Sequence, residues 1–164
     1  MVSWVKCHTD LSFQKVNIFH KKNFPHNNFL GAYGDRYDLP DNCWGQNMVP
    51  QTRVLPMVDL AIIHGGNNSL CETFYFGKPM IVIPLFGDQY DNAQRVQEKG
   101  FGIRMNPFTC TKEELENAIE TLLNDHELNE KLKKIAERSK NNAKSNNELC
   151  KLIESVADKD LVAG

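Results

Sequence analysis

Three short apolar runs limit what this chain can fold into more than any other feature: "VDLAII" (58–63), "KPMIVIPLF" (78–86) and "FGIRM" (101–105). Each is too short for a buried helix and is bounded by turn formers, so each reads as a buried strand. Between them lie "NSLCETFYFG" and "DQYDNAQRVQEKG". In the first, Leu70, Phe74 and the Thr73/Phe76 flank recur at helical spacing. Gly77 and Gly100 stand where a helix ends in a glycine. Strand, helix, strand, helix, strand predicts an α/β, Rossmann-like parallel sheet flanked by crossover helices.

From Thr111 the chain reads as helical to its end. "TKEELENAIETLLND" opens with a capping box, Thr111 with Glu114 three residues later, and Leu115, Ile119, Leu122 and Leu123 form its apolar stripe. "HELNEKLKKIAERSKNN" and "SNNELCKLIESVA" read as two further amphipathic helices. Ahead of the sheet, "LSFQKVNIFHKK" places Leu11 or Phe13, Val16, and Phe19 or His20 at helical spacing after Thr9 and Asp10. A short strand is expected near 29–33 and turns at "GDRYDLPDN". "CWGQNMVPQ" reads as a loop with a strand start, and "TRVLPMV" as a short helical turn broken by Pro56. At 164 residues the whole chain is one domain.

Parallel sheets of this type take ligands at the carboxyl ends of their strands. Two polar clusters stand at such ends. "HGGNNSL" follows the first run, and "PLFGDQYDN" closes the second. Gly65 and Gly66 would expose bare backbone N–H groups, and a helix starting at Asn68 or Ser69 would turn its positive end toward an anion. His64 can add a donor, and Glu72, one turn on, can accept from ribose hydroxyls. The plain alternative is a glycine turn and a capped helix. Asp88 and Gln89 can accept from and donate to vicinal sugar hydroxyls, and the plain alternative there is an Asp N-cap beside a Gln.

Composition narrows the partners. With 19 basic and 21 acidic residues the formal charge is -2, which predicts no attraction to nucleic acid or to an anionic membrane. No apolar run approaches the ~20 residues of a membrane helix. "MVSWVKCHTD" lacks a secretory apolar core. The five cysteines and five histidines form no zinc or disulfide spacing, so reduced thiols, no metal and a cytoplasmic location are expected.

The clusters, with "VPQTRVL", "FGKPMIVIPLFGDQYDNAQRV" and "EKGFG", resemble the UDP-glycosyltransferases of glycosyltransferase family 1, which have the GT-B fold. The likeness runs from about Trp44 to Gly102 and extends more loosely into the helical tail. It is most like the mite and bacterial macrolide-type members. The resemblance implies the C-terminal, donor-binding domain of such an enzyme. His64 and Gly66 would lie against the pyrophosphate, Asn68 and Ser69 would bind phosphate oxygens, and Glu72 would take the ribose hydroxyls. Asp88 and Gln89 would hold the transferred sugar. Gln51 would sit near the ribose, and the Val49 backbone would pair with the uracil edge.

Two departures stand out. Where the family carries an aromatic residue that stacks on uracil, this chain has Met48, a less specific platform. Its first segment, "MVSWVKCHTD", has no glycine where the family has a Gly/Ser-rich loop, so residues 1–42 read as an altered or truncated first strand and helix. Residues 43–104 then carry the donor signature and 111–158 the C-terminal helices. The expected donor is a UDP-sugar of glucose type, with no cofactor. The acceptor, by resemblance a small lipophilic molecule such as a toxin or pesticide, would be bound by an N-terminal domain or a separate chain that also supplies the catalytic base. The rival readings are one subunit of a split transferase and a truncated, non-catalytic nucleotide-binding or interaction protein.

Overall fold

The computed structural model describes residues 18–20, 29–32, 43–46 and 50–162. Six strands, β1 (Ile18–His20), β2 (Phe29–Ala32), β3 (Cys43–Gln46), β4 (Leu60–Ile63), β5 (Met80–Val82) and β6 (Gly102–Arg104), form one sheet in the order β3-β2-β1-β4-β5-β6. The β4–β5–β6 half is parallel, as the alternation of strands and helices predicts. The crossovers are α2 (Asn67–Tyr75) and α3 (Gln89–Glu98). Ahead of β4 lie α1 (Gln51–Val54) and a 3-10 turn, Leu55–Met57, that holds Pro56.

Period-two alternation sorts the strand side chains onto two faces. Ala61, Ile63, Met80 and Val82 pack with Leu70 of α2 and with Ala93 and Val96 of α3. Leu60, Ile62 and Ile81 turn the other way, onto Ala118, Ile119 and Leu122 of α4 (Lys112–Asn124) and Leu128 and Leu132 of α5 (His126–Val162). Both faces are covered, which is why these strands read as unbroken apolar runs. The result is a three-layer, Rossmann-like α/β arrangement.

Two expectations need correction. The helical spacing around "IFH" is overridden: Ile18–His20 is a strand, antiparallel to both β2 and β4. A three-residue segment has too little helical propensity to resist pairing with a buried strand. The rest of that expected helix, its Thr9/Asp10 cap and the "GDRYDLPDN" turn lie outside the described residues. The two expected C-terminal helices are one, α5, running 37 residues. The stretch "KNNAKSNN" is only a modest helix former, yet it holds neither glycine nor proline, so nothing interrupts the backbone ladder.

The predicted capping box is formed. Thr111 Oγ1 accepts from Glu114 N at 3.2 Å, and Glu114 Oε2 accepts from Thr111 N at 2.8 Å. Gly77, at φ +64, ends α2 and lets α5 approach, since a Cβ there would stand 3.0 Å from the Leu132 carbonyl. Lys131 of α5 holds the far end of α3: its Nζ donates to the Lys99 carbonyl at 2.7 Å and lies 4.4 Å from the centre of the Phe101 ring.

Candidate functional site

The parallel strands β4 and β5 end side by side, with Ile83 N donating to Ile63 O at 2.8 Å. Both polar clusters therefore leave the sheet at one edge, the carboxyl end where α/β sheets take ligands.

At the end of β4 the chain runs through His64, Gly65 and Gly66 into α2. Gly65 has φ +89, a conformation that excludes most side chains. A Cβ there would also stand 2.8 Å from Val82 Cγ1 and 3.2 Å from the Gln89 carbonyl. Gly66 has an ordinary extended backbone, but a Cβ on it would overlap His64 Nε2. The imidazole thus lies over bare backbone. α2 begins at Asn67, one residue ahead of the expected start, with Gly66 as its N-cap and no side chain capping it. Its first ladder bond is Leu70 N to Gly66 O at 3.1 Å, so the N–H groups of residues 67–69 precede the ladder. Asn68 is exposed and Ser69 is buried. The positive end of α2 opens beside His64.

His64 is half-buried, and burial holds its imidazole below the usual histidine range. The Asp88 carboxylate opposes this more weakly. That coupling places Asp88, from the loop after β5, within electrostatic reach of His64. The two clusters form one site.

The plain reading of Asp88 as an N-cap does not hold. It sits at the N-cap of α3 with helical dihedrals, φ -63 and ψ -14, and its side chain makes no capping bond. The loop is tied by Gln89 instead, whose Oε1 accepts from Leu85 N at 2.9 Å and Phe86 N at 3.2 Å. Gln89 is only 3% exposed, and its amide carbonyl serves the loop. Asp88 is exposed, and Oδ2 accepts from Asn92 Nδ2 at 3.3 Å.

Across α2, Gln51 Nε2 donates to Glu72 Oε2 at 2.8 Å. These residues stand 21 apart in sequence, and the resemblance implies that both lie beside one ribose. Met48 and Val49 lie outside the described residues. Trp44 falls in β3, a strand position. Among the described residues no group of three or more His, Cys, Asp or Glu could hold a metal ion, and no helix is long and apolar enough to cross a membrane.

Among the described residues, Asn92 joins the site without being expected there from the sequence. Its side chain bonds to both clusters, and the four-residue spacing from Asp88 on a helix was the available signal.

Known proteins are similar to this chain in sequence and fold. Human UDP-glucuronosyltransferase 1A9 is 38% identical over 101 residues, covering 60% of this chain and 19% of that protein. The chain thus spans about a fifth of the length of this relative. The solved glycotransferase of kitacinnamycin is 33% identical with a TM-score of 0.59, covering 64% of this chain and 27% of that one. Spinosyn rhamnosyltransferase SpnG complexed with thymidine diphosphate is 28% identical with a TM-score of 0.55, covering 62% of this chain and 28% of its own. Residues 38–143, well over half of the chain, match the model of the family described as UDP-glucoronosyl and UDP-glucosyl transferase, and the chain belongs to that family.

Proposed function

We propose that this chain is the donor-binding half of a UDP-glycosyltransferase, which presents a UDP-hexose for transfer to a hydroxyl of a small lipophilic acceptor with inversion. The observation that carries the reading is the joining of the two strand-end clusters, with an uncapped helix start, His64 and an Asp88 that caps nothing around one opening. The rhamnosyltransferase SpnG, of related sequence, is complexed with a nucleoside diphosphate, which supports a diphosphate here.

The diphosphate would lie against Gly66 and the first turn of α2, where backbone N–H groups and the helix dipole favour an anion. His64, neutral at pH 7, would donate from its protonated nitrogen. These donors would stabilise the charge that builds on the departing UDP, in a setting that needs little reorganisation. Gln51 orients Glu72 for the ribose hydroxyls. Asp88 and the Gln89 amide would hold the sugar. The base that deprotonates the acceptor would come from an acceptor-binding domain or a separate chain.

Calorimetric titration of the chain with UDP, UDP-glucose and ADP tests this directly. Saturable binding with UDP preferred over ADP is expected; no binding at millimolar nucleotide would rule the reading out. Glu72→Ala should weaken UDP binding about ten-fold or more, the worth of a hydrogen bond to a charged group, with little change in melting temperature. Unchanged affinity in a folded variant would remove Glu72 from the site.

Protonation of His64 gives opposite signs for stability and binding. Because its folded-state pKa lies below 6.5, stability falls as pH drops below 6.5, where the unfolded chain takes up the proton first. A bound diphosphate favours the imidazolium, so UDP affinity relative to a His64→Gln variant should rise between about pH 7.5 and 5.5. Dividing by the variant cancels the titration of UDP itself. A ratio flat with pH would place His64 away from the diphosphate.

A further inference from the structure

The side chain of Asn92 joins the two halves of the site. From the second turn of α3 its Nδ2 donates one hydrogen to the Gly65 carbonyl at 3.0 Å and the other to Asp88 Oδ2 at 3.3 Å. Residues 65 and 92 stand 27 apart in sequence, so the bond to Gly65 is a tertiary tie between loop and helix. Each bond fixes something a ligand would meet. In a planar trans peptide the N–H points opposite to the C=O. Holding the Gly65 carbonyl therefore sets the aim of the Gly66 N–H, which faces away from Asn92. Holding Oδ2 sets the rotamer of Asp88 and leaves Oδ1 as the oxygen turned to other partners. Asn92 is half-buried, and its amide has two hydrogens for these two acceptors.

We propose that Asn92 is a positioning residue that locks the sugar-binding carboxylate of Asp88 to the diphosphate-binding loop, so that the site reads the sugar and the diphosphate as one ligand. This rests on the donor-binding reading above. Asn92 touches no part of the substrate. It acts through Asp88 and through the Gly65–Gly66 peptide. A residue of merely structural value would weaken every ligand alike. A residue that aligns Asp88 weakens the sugar's share specifically, and does so only while Asp88 is present.

The test is a double-mutant cycle on the full chain, with Asn92→Ala, Asp88→Ala and the double variant each titrated with UDP and with UDP-glucose. Asn92→Ser, which keeps a single donor, is run alongside in case the alanine variant does not fold. The expected result is that Asn92→Ala lowers the preference for UDP-glucose over UDP about ten-fold or more, the range of one charge-assisted hydrogen bond. In the Asp88→Ala background the same change should leave that preference unaltered. Equal loss for both ligands, or a loss of preference that persists without Asp88, would overturn the coupling while leaving the donor site intact. If the wild-type chain bound neither ligand, the donor reading itself would fall and this inference with it.

Discussion

Gly65→Ala should lower the melting temperature by roughly 6–12 °C, which corresponds to about 3 kcal/mol in a chain of this size. Two effects add. At φ +89 an L side chain carries backbone strain of about 1–2 kcal/mol. The new methyl would also press on Val82 Cγ1 at 2.8 Å and on the Gln89 carbonyl at 3.2 Å, and relieving such overpacking costs about 1–3 kcal/mol. Neither neighbour can simply rotate away, because one lies in β5 and the other is main chain of α3. The shift would open the Asn92 bond to Gly65, so nucleotide binding should weaken as well. Gly66→Ala is the internal control. Its backbone is ordinary, and its methyl would meet only the tip of the His64 ring, which can turn. That variant should keep its melting temperature and lose ligand affinity. Thermal melts of the pair, with and without UDP, decide the matter, and two equal melting temperatures would contradict the packing of the loop against α3.

Leu132→Ala should cost about 2–5 kcal/mol, the range for removing a fully buried leucine. Leu132 has 0% exposure and packs among Leu60, Ile62, Ile81 and Leu122. It lies on the face of the sheet opposite α3, and its backbone carbonyl abuts Gly77 at the end of α2. The surrounding strands and helices cannot close the gap without moving the sheet. Denaturant melts should show a lower midpoint with the same slope. At temperatures where the variant is folded, UDP affinity should match the wild type. A loss below about 1 kcal/mol would mean that α5 does not dock on this face as described.

What the sequence made legible was local. The three apolar runs are strands because their periodicity and bounding turns are written in adjacent residues. Gly77 and Gly100 close helices with φ +64 and +61, and Thr111 with Glu114 forms its box, since each depends on residues within one turn. The grouping of His64 with Asp88 followed from parallel strands ending at one edge. One expectation was overturned by a distant partner. β1 takes its direction from β4, more than forty positions away, which no window around "IFH" contains. The plain alternative of an Asp88 cap gave way within one turn, where the carboxylate accepts from Asn92. The Gln89 amide oxygen accepts from Leu85 N and Phe86 N, which residue type alone does not choose. The join of the two C-terminal helices depended on the absence of a breaker, a weaker signal than the presence of one.

The register of the sheet also fixes where neighbouring chain would be fastened. β1 begins at Ile18, paired with Ile62, and ends at His20, paired with Leu60. Its first residue therefore lies at the edge from which His64 leaves β4. β2 runs back to that edge, and β3, parallel to β2, carries Gln46 there on the way to Gln51. The chain therefore enters the sheet through β1 at the rim where the two polar clusters stand, not at the opposite edge.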